Sequence, residues 1–174
     1  MPPGAFVFCY DVAMRAVSPL EVASIVAIGG SILAIGVPAF VRNLHASRLV
    51  EPIEGLERIA ARATGLAAQK PAEFAYPPSV ELTPEQVPRG KPVVDPARTW
   101  ERPTWRLLDF AFSLPHSYSF AFESHNTPGH ATFYAVAHGD LDGDGLESTF
   151  EISGESKDGV PPIVFPMESR REIE

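Results

Sequence analysis

The chain has 174 residues, 45% of them hydrophobic, and a formal net charge of -8 at pH 7. That length suits one modest domain plus one membrane-length segment and excludes two full cores. The acidic balance, with no basic stripe to neutralise phosphates, excludes nucleic acid as an expected partner and favours a cation or a basic partner, while the single Cys9 excludes an intrachain disulfide.

A short N-terminal segment, residues 1–16, precedes a long apolar run. From Leu20 to Val41 the chain carries no charge except Glu21, and at about 1.5 Å per residue the run reaches roughly 33 Å, enough to cross a bilayer core. An ionisable group at such a place has a functional role by default. S18-P-L-E21 also fits a capping box, with Ser18 as N-cap, Pro19 at the first helical position and Glu21 reaching back to a backbone N–H. Beyond Val41 the apolar residues Leu49, Ile53, Leu56, Ala60 and Ala63 recur at spacings of three and four, one stripe of an amphipathic helix. A single helix is therefore expected over 17–66, with its transmembrane part at 20–41, a bend at Pro52 and a stop near Gly65.

Residues 67–103 are dense in proline, so neither a helix nor a central strand is expected there, only a connecting loop. Four alternating stretches follow, 104–112, 116–123, 131–138 and 147–153, rich in aromatic and branched residues and separated by Pro, Asn and Gly turns. Tyr118, Phe120 and Phe122 share one face of their strand, and Phe150 and Ile152 share one with Leu146 and Ser148. The expected fold class is α+β: a long N-terminal helix, half membrane-spanning and half amphipathic, packed on a small four-stranded antiparallel sheet. Residues 104–174 form this head, with an acidic loop at 139–147 and a C-terminal tail.

In G139-D-L-D-G-D-G145 the carboxylates of Asp140, Asp142 and Asp144 alternate and Gly145 allows a sharp turn, which reproduces the first half of a calcium loop. Glu151 stands at the twelfth place, but in an extended strand it lies too far along to curl back. The expected calcium ligands are the three aspartates and the Leu146 carbonyl, with Glu147 as an addition; the alternative is a solvated Asp-Gly turn without metal. His116, His125, His130 and His138 match no zinc spacing and are expected at the surface or at strand ends. Trp100 and Trp105 are expected as packing anchors. No nucleophile motif, phosphate loop or dinucleotide fingerprint occurs, so an enzyme is not expected.

The N-terminal segment ending in a small residue, then V17-S-P-L-E21, then the apolar run through Gly29-Gly30 to V37-P-A-F40, resembles the N-terminal signature of type IV pilins and type II secretion pseudopilins. The resemblance implies that a prepilin peptidase removes residues 1–16 as a leader by cutting between Ala16 and Val17, and methylates the new amine of Val17. Glu21 then becomes the fifth mature residue, and Gly30 and Pro38 match the helix-weakening positions typical of the family. Ala16, Val17 and Pro19 depart from the usual residues, and the family's C-terminal cysteine pair is missing. By the same resemblance the chain is held in a bacterial inner membrane and assembles, with copies of itself or related subunits, into a helical filament at the cell surface or in the periplasm. There Glu21 pairs with the Val17 amine in an apolar core. The alternative expectation is a membrane-anchored extracytoplasmic calcium-binding domain that does not polymerise.

Overall fold

The structure, a computed structural model, describes residues 18–171, and of residues 39–48 it describes the backbone alone. Ala16 and Val17 lie outside the described residues. The chain divides into two compact units that meet between Val41 and Arg42, and the first helix, α1 (Pro19–Ala67), contributes to both.

In the first unit α1 opens with the reciprocal bonds of a capping box. The Ser18 amide donates to Glu21 Oε2 at 2.8 Å, and the Glu21 amide donates to Ser18 Oγ at 3.3 Å, so two donors that the helix start leaves unpaired are satisfied locally. From Pro19 to Pro38 the mean hydropathy is 2.1 and none of the segment is buried within the protein. Leu20, Ile28, Ile32, Leu33 and Val37, with Ala23, Ala27 and Ala34 between them, are exposed around the whole circumference, a pattern that fits an apolar surrounding on every side and not a core on one. The hydroxyls of Ser24 and Ser31 donate to the carbonyls of Leu20 and Ala27 four residues back. That bond lets a polar side chain sit in an apolar helix without an outside partner.

In the second unit the same helix becomes one-sided. Pro52, Leu56, Ile59, Ala60, Ala63 and Ala67 are buried, while Ile53, expected on the stripe, is 37% exposed. Gly55 lies on the buried side, and a methyl group there would stand 2.7 Å from the Phe120 ring; its missing side chain lets the helix backbone approach the sheet. Glu51 reaches across to the sheet, where its carboxylate accepts the amides of Ser117 at 2.8 Å and Tyr118 at 2.9 Å.

The sheet has six strands: β1 (Val80–Thr83), β2 (Tyr118–Thr127), β3 (His130–Gly139), β4 (Ser148–Lys157), β5 (Val160–Val164) and β6 (Glu168–Arg170). The order is β1-β2-β3-β4-β5, with β6 also paired to β4, and every pairing is antiparallel. The expected four strands are corrected at three places. Residues 104–112 do not form a strand: Pro103 opens a short helix, α2 (Pro103–Leu107), with Thr104, Trp105 and Leu108 buried at helical spacing. β1 lies inside the proline-dense stretch, where an edge strand of four residues fits between Pro78 and Pro84. β5 and β6 come from the expected tail, and β5 carries Pro161 and Pro162, which an edge position tolerates.

The buried face of β2–β4 is formed by Tyr118, Phe120, Phe122, Ala131, Phe133, Ala135, Ala137, Phe150 and Ile152. Ser148 joins it, whereas Leu146 precedes β4 and is 48% exposed, a further correction. Trp100 and Trp105 pack edge to face with centroids 5.4 Å apart, Phe110 meets Phe120 at 5.0 Å, and Arg58 of α1 lies over the Phe110 ring at 5.4 Å. Offset and edge-on contacts of this kind add to the burial of large aromatic surfaces.

Candidate functional site

The acidic loop, residues 139–147, carries the chain from β3 to β4 and is organised by its own aspartates. Asp140 is buried; its Oδ1 accepts the Gly143 amide at 2.7 Å and its Oδ2 the Gly145 amide at 3.0 Å. Asp142 Oδ1 accepts the amide of Asp144 at 3.0 Å, and Asp144 Oδ1 accepts that of Leu146 at 2.7 Å. Each carboxylate thus holds a turn by bonding the backbone two or more residues on. Gly145 adopts φ +93°, a conformation that glycine enters without steric cost and that carries the chain out of the loop.

One carboxylate oxygen from each of Asp140, Asp142 and Asp144 lies within 4.8 Å of the others. Two oxygens at about 2.4 Å from one calcium ion stand up to roughly 4.8 Å apart, so this spread matches a shared hard cation. The donor set is all oxygen, which suits calcium or magnesium and not a thiolate-seeking metal. Asp142 and Asp144 are exposed, which leaves room for water to complete the coordination. Arg89 from the proline-dense stretch stands 3.9 Å from Asp140 Oδ2, and the Gly90 amide donates to the Asp140 carbonyl at 2.8 Å, so one cationic side chain already offsets part of the negative charge. The Glu147 carboxylate is 3.8 Å from His138 Nδ1 and is not among the three groups that converge. Glu151 is held in β4 opposite Val136 and Glu168. The loop therefore offers three aspartates, with the backbone at Leu146 next in line along the chain.

The assembly residues lie on the exposed segment of α1. Glu21 is engaged with Ser18 in the capping box. Gly30 has open space around the position of an added methyl group, and Pro38 is exposed. Nothing in the described residues supplies the amine that the pilin resemblance assigns to Glu21.

Three features were missed by the sequence. His116 lies just before β2, a strand end as expected, but not at the surface: it is 1% exposed, its Nε2 lies 2.8 Å from Asp95 Oδ2 and its Nδ1 2.8 Å from the Tyr118 carbonyl. The same Asp95 oxygen accepts the Trp100 indole N–H at 2.6 Å, so a buried Asp–His–Trp network pins the proline-dense stretch to the start of β2. Glu51 was likewise invisible as a clamp, because its partners lie far along the chain. Tyr76 is buried with no hydrogen-bond partner for its hydroxyl; burial, and then the charge of Glu155, push its phenol up to about 12. Glu155 is itself held below the ordinary carboxylate range by hydrogen bonds from Lys157 and then His130.

No protein-family model matches the chain, and no curated protein or solved structure matches it.

Proposed function

We propose that the chain is a membrane-anchored extracytoplasmic domain whose acidic loop takes a calcium ion, and that its anchor helix also builds the subunit into a filament of the pilin type. The observation that carries the first clause is the convergence of Asp140, Asp142 and Asp144 within 4.8 Å, together with an apolar helix, Pro19–Pro38, of membrane-crossing length. Calcium would be held by the three aspartates and the Leu146 carbonyl; it would neutralise their mutual repulsion and tie the end of β3 to the start of β4. This clause has the more direct structural support.

The second clause rests on the resemblance of residues 16–40 to the pilin signature, and on a single helix that is apolar throughout its first part and one-sided against an antiparallel sheet in its later part. In this reading a prepilin peptidase frees and methylates the Val17 amine at the inner membrane. The exposed side chains of Pro19–Pro38 then exchange lipid for neighbouring helices as the filament grows, with Gly30 and Pro38 as soft points, and Glu21 pairs with a Val17 amine. Without polymerisation the anchored calcium-binding domain remains.

The clauses are tested separately. The full chain in non-ionic detergent should melt higher with calcium than with chelator, by about 2.7 kcal/mol of added stability at a hundredfold excess over Kd. Asp142→Asn with Asp144→Asn should abolish that difference. Equal melting of the unsubstituted chain in both conditions removes calcium from the account. For assembly, mass spectrometry of cell-derived protein should find Val17 as a methylated N-terminus. Glu21→Gln should still insert in the membrane and fold its sheet, at a capping cost of about 1 kcal/mol, but be depleted from sheared filaments, because an unpaired buried amine costs several kcal/mol. Wild-type incorporation would leave Glu21 with its capping role alone.

A further inference from the structure

Strand alternation leaves the sheet face opposite the core open, and at its middle Tyr134 of β3 is 38% exposed. This ring stands between two shallow hollows. One, of about 430 Å³, is lined by Glu81 of β1, Ala121 and Glu123 of β2, and Val136. The other, of about 380 Å³, is lined by Glu151 of β4, Phe165 between β5 and β6, and Glu168 of β6. The register places Glu123 directly beside Tyr134 and puts Glu151 between Val136 and Glu168.

Among the described residues none of Glu81, Glu123, Glu151 and Glu168 forms an ion pair with a basic side chain. The Tyr134 phenol is pushed up to about 12 by burial and then by the neighbouring Glu151 carboxylate, while Arg170 is the cation that acts on it; like an ordinary phenol it is neutral at physiological pH. The other ionisable groups on this face are Arg170 of β6, two residues from Glu168, His138, engaged by Thr149 and Glu147, His125 towards the far end of β2, and, further along β3 and β4, Glu155 with its partners His130 and Lys157. The four carboxylates are spread over β1, β2, β4 and β6, which at about 4.8 Å between strands is roughly 19 Å from first to last. That is too far for one metal ion, whose ligands must lie within about 5 Å of each other. It equals about six residues of extended chain.

We propose that this face docks a lysine- or arginine-rich extended polypeptide laid across the strands, with cationic side chains entering the two hollows and Tyr134 between them. The charge complementarity is local: four glutamates that form no ion pair, and that outnumber the one cation Arg170 among them, border an aromatic ring and the small apolar floor of Ala121 and Val136. A cation over that ring gains from the ring quadrupole, and the carboxylates steer the approach and fix the register. The inference holds whether or not the acidic loop takes calcium and whether or not the chain polymerises.

The test is fluorescence anisotropy of a fluorescein-labelled peptide of four Lys-Gly repeats, titrated with the full chain in non-ionic detergent. Binding should saturate and weaken with added salt, and a peptide of four Glu-Gly repeats should not bind. The triple variant Glu123→Gln, Glu151→Gln, Glu168→Gln should bind at least about tenfold more weakly. The equally charged control Glu54→Gln, Glu57→Gln, Glu73→Gln, built on exposed positions elsewhere, should change affinity less than about twofold. Tyr134→Ala should weaken binding about two- to fivefold. If the triple variant does not fold, Glu123→Gln alone carries the same comparison at about threefold. Equal losses in face and control variants, unchanged affinity in the face variant, or no saturable binding would each overturn the proposal.

Discussion

Residues 19–38 and residues 52–67 lie in the same helix and are both rich in aliphatic side chains, yet only the second group is buried by the protein itself. In the first, Leu20 is 78% and Ile35 75% exposed, and apolar residues cover every side. In the second, Leu56 and Ile59 are fully buried while Glu57 and Arg58 face outward. The difference lies in the periodicity of the polar residues, not in the amount of apolar surface. A helix with a polar side commits its apolar side to one core; a helix with none needs an apolar surrounding, lipid or other helices, all the way round.

The sharpest way to break this comparison is to truncate one leucine in each part. Leu56→Ala should cost about 2–5 kcal/mol of stability, because a cavity remains in a core that cannot fully collapse. Leu33→Ala should leave thermal unfolding of the full chain in detergent unchanged. Similar losses in both would show that residues 19–38 are part of the folded core.

A charge gives the reciprocal result. Ile28→Lys should oppose membrane insertion by about 2.5–3.5 kcal/mol and leave the near-UV spectrum of the detergent-solubilised chain unaltered, as measured by carbonate extraction of membranes and by circular dichroism. Full membrane retention would remove the spanning role from Pro19–Pro38.

Glycine positions sharpen the contrast further. Gly55→Ala should cost about 1–3 kcal/mol, since its methyl group would press into the buried Phe120 ring. Gly30→Ala meets open space and should favour the helix by up to about 1 kcal/mol. Chemical denaturation of the two variants separates these signs.

The smallest effect is confined to alkaline pH and to the head. A phenol raised from about 10 to about 12 is favoured neutral in the folded protein. Its contribution to stability is therefore complete below the ordinary tyrosine value and is lost as pH rises towards the folded one. Tyr76→Phe removes a hydroxyl that has no partner, so the variant should match the parent at pH 7 within about 1 kcal/mol and lose less stability between pH 10 and 12. A parallel decline of both proteins in urea melts across that interval would assign the alkaline loss elsewhere, to Tyr118 or Tyr134, whose phenols burial also raises.

Local patterns were legible in the residues alone. The apolar run after S18-P-L-E21 announced a membrane-length helix with a capped start, and alternation announced β2, β3 and β4, because both signals repeat within a few residues. The three aspartates with Gly145 announced a tight acidic turn for the same reason: each carboxylate bonds an amide no more than five residues away. Where composition pointed one way and context another, context prevailed. Trp105 and Leu108 read as strand residues, but Pro103 fixes a helical turn; V160-P-P-I-V reads as loop, but an edge next to β4 needs only half its backbone groups paired.

What only the tertiary structure decided are the contacts between distant segments. Glu51 clamps two amides more than sixty residues on, Asp95 joins His116 and Trp100 in a buried network, and the six strands assemble so that glutamates from four of them share one open face. Such pairings depend on which surfaces meet when the chain closes on itself. A sequence encodes them through the summed packing of the whole core, in which each small contact is favourable only once the others have been made.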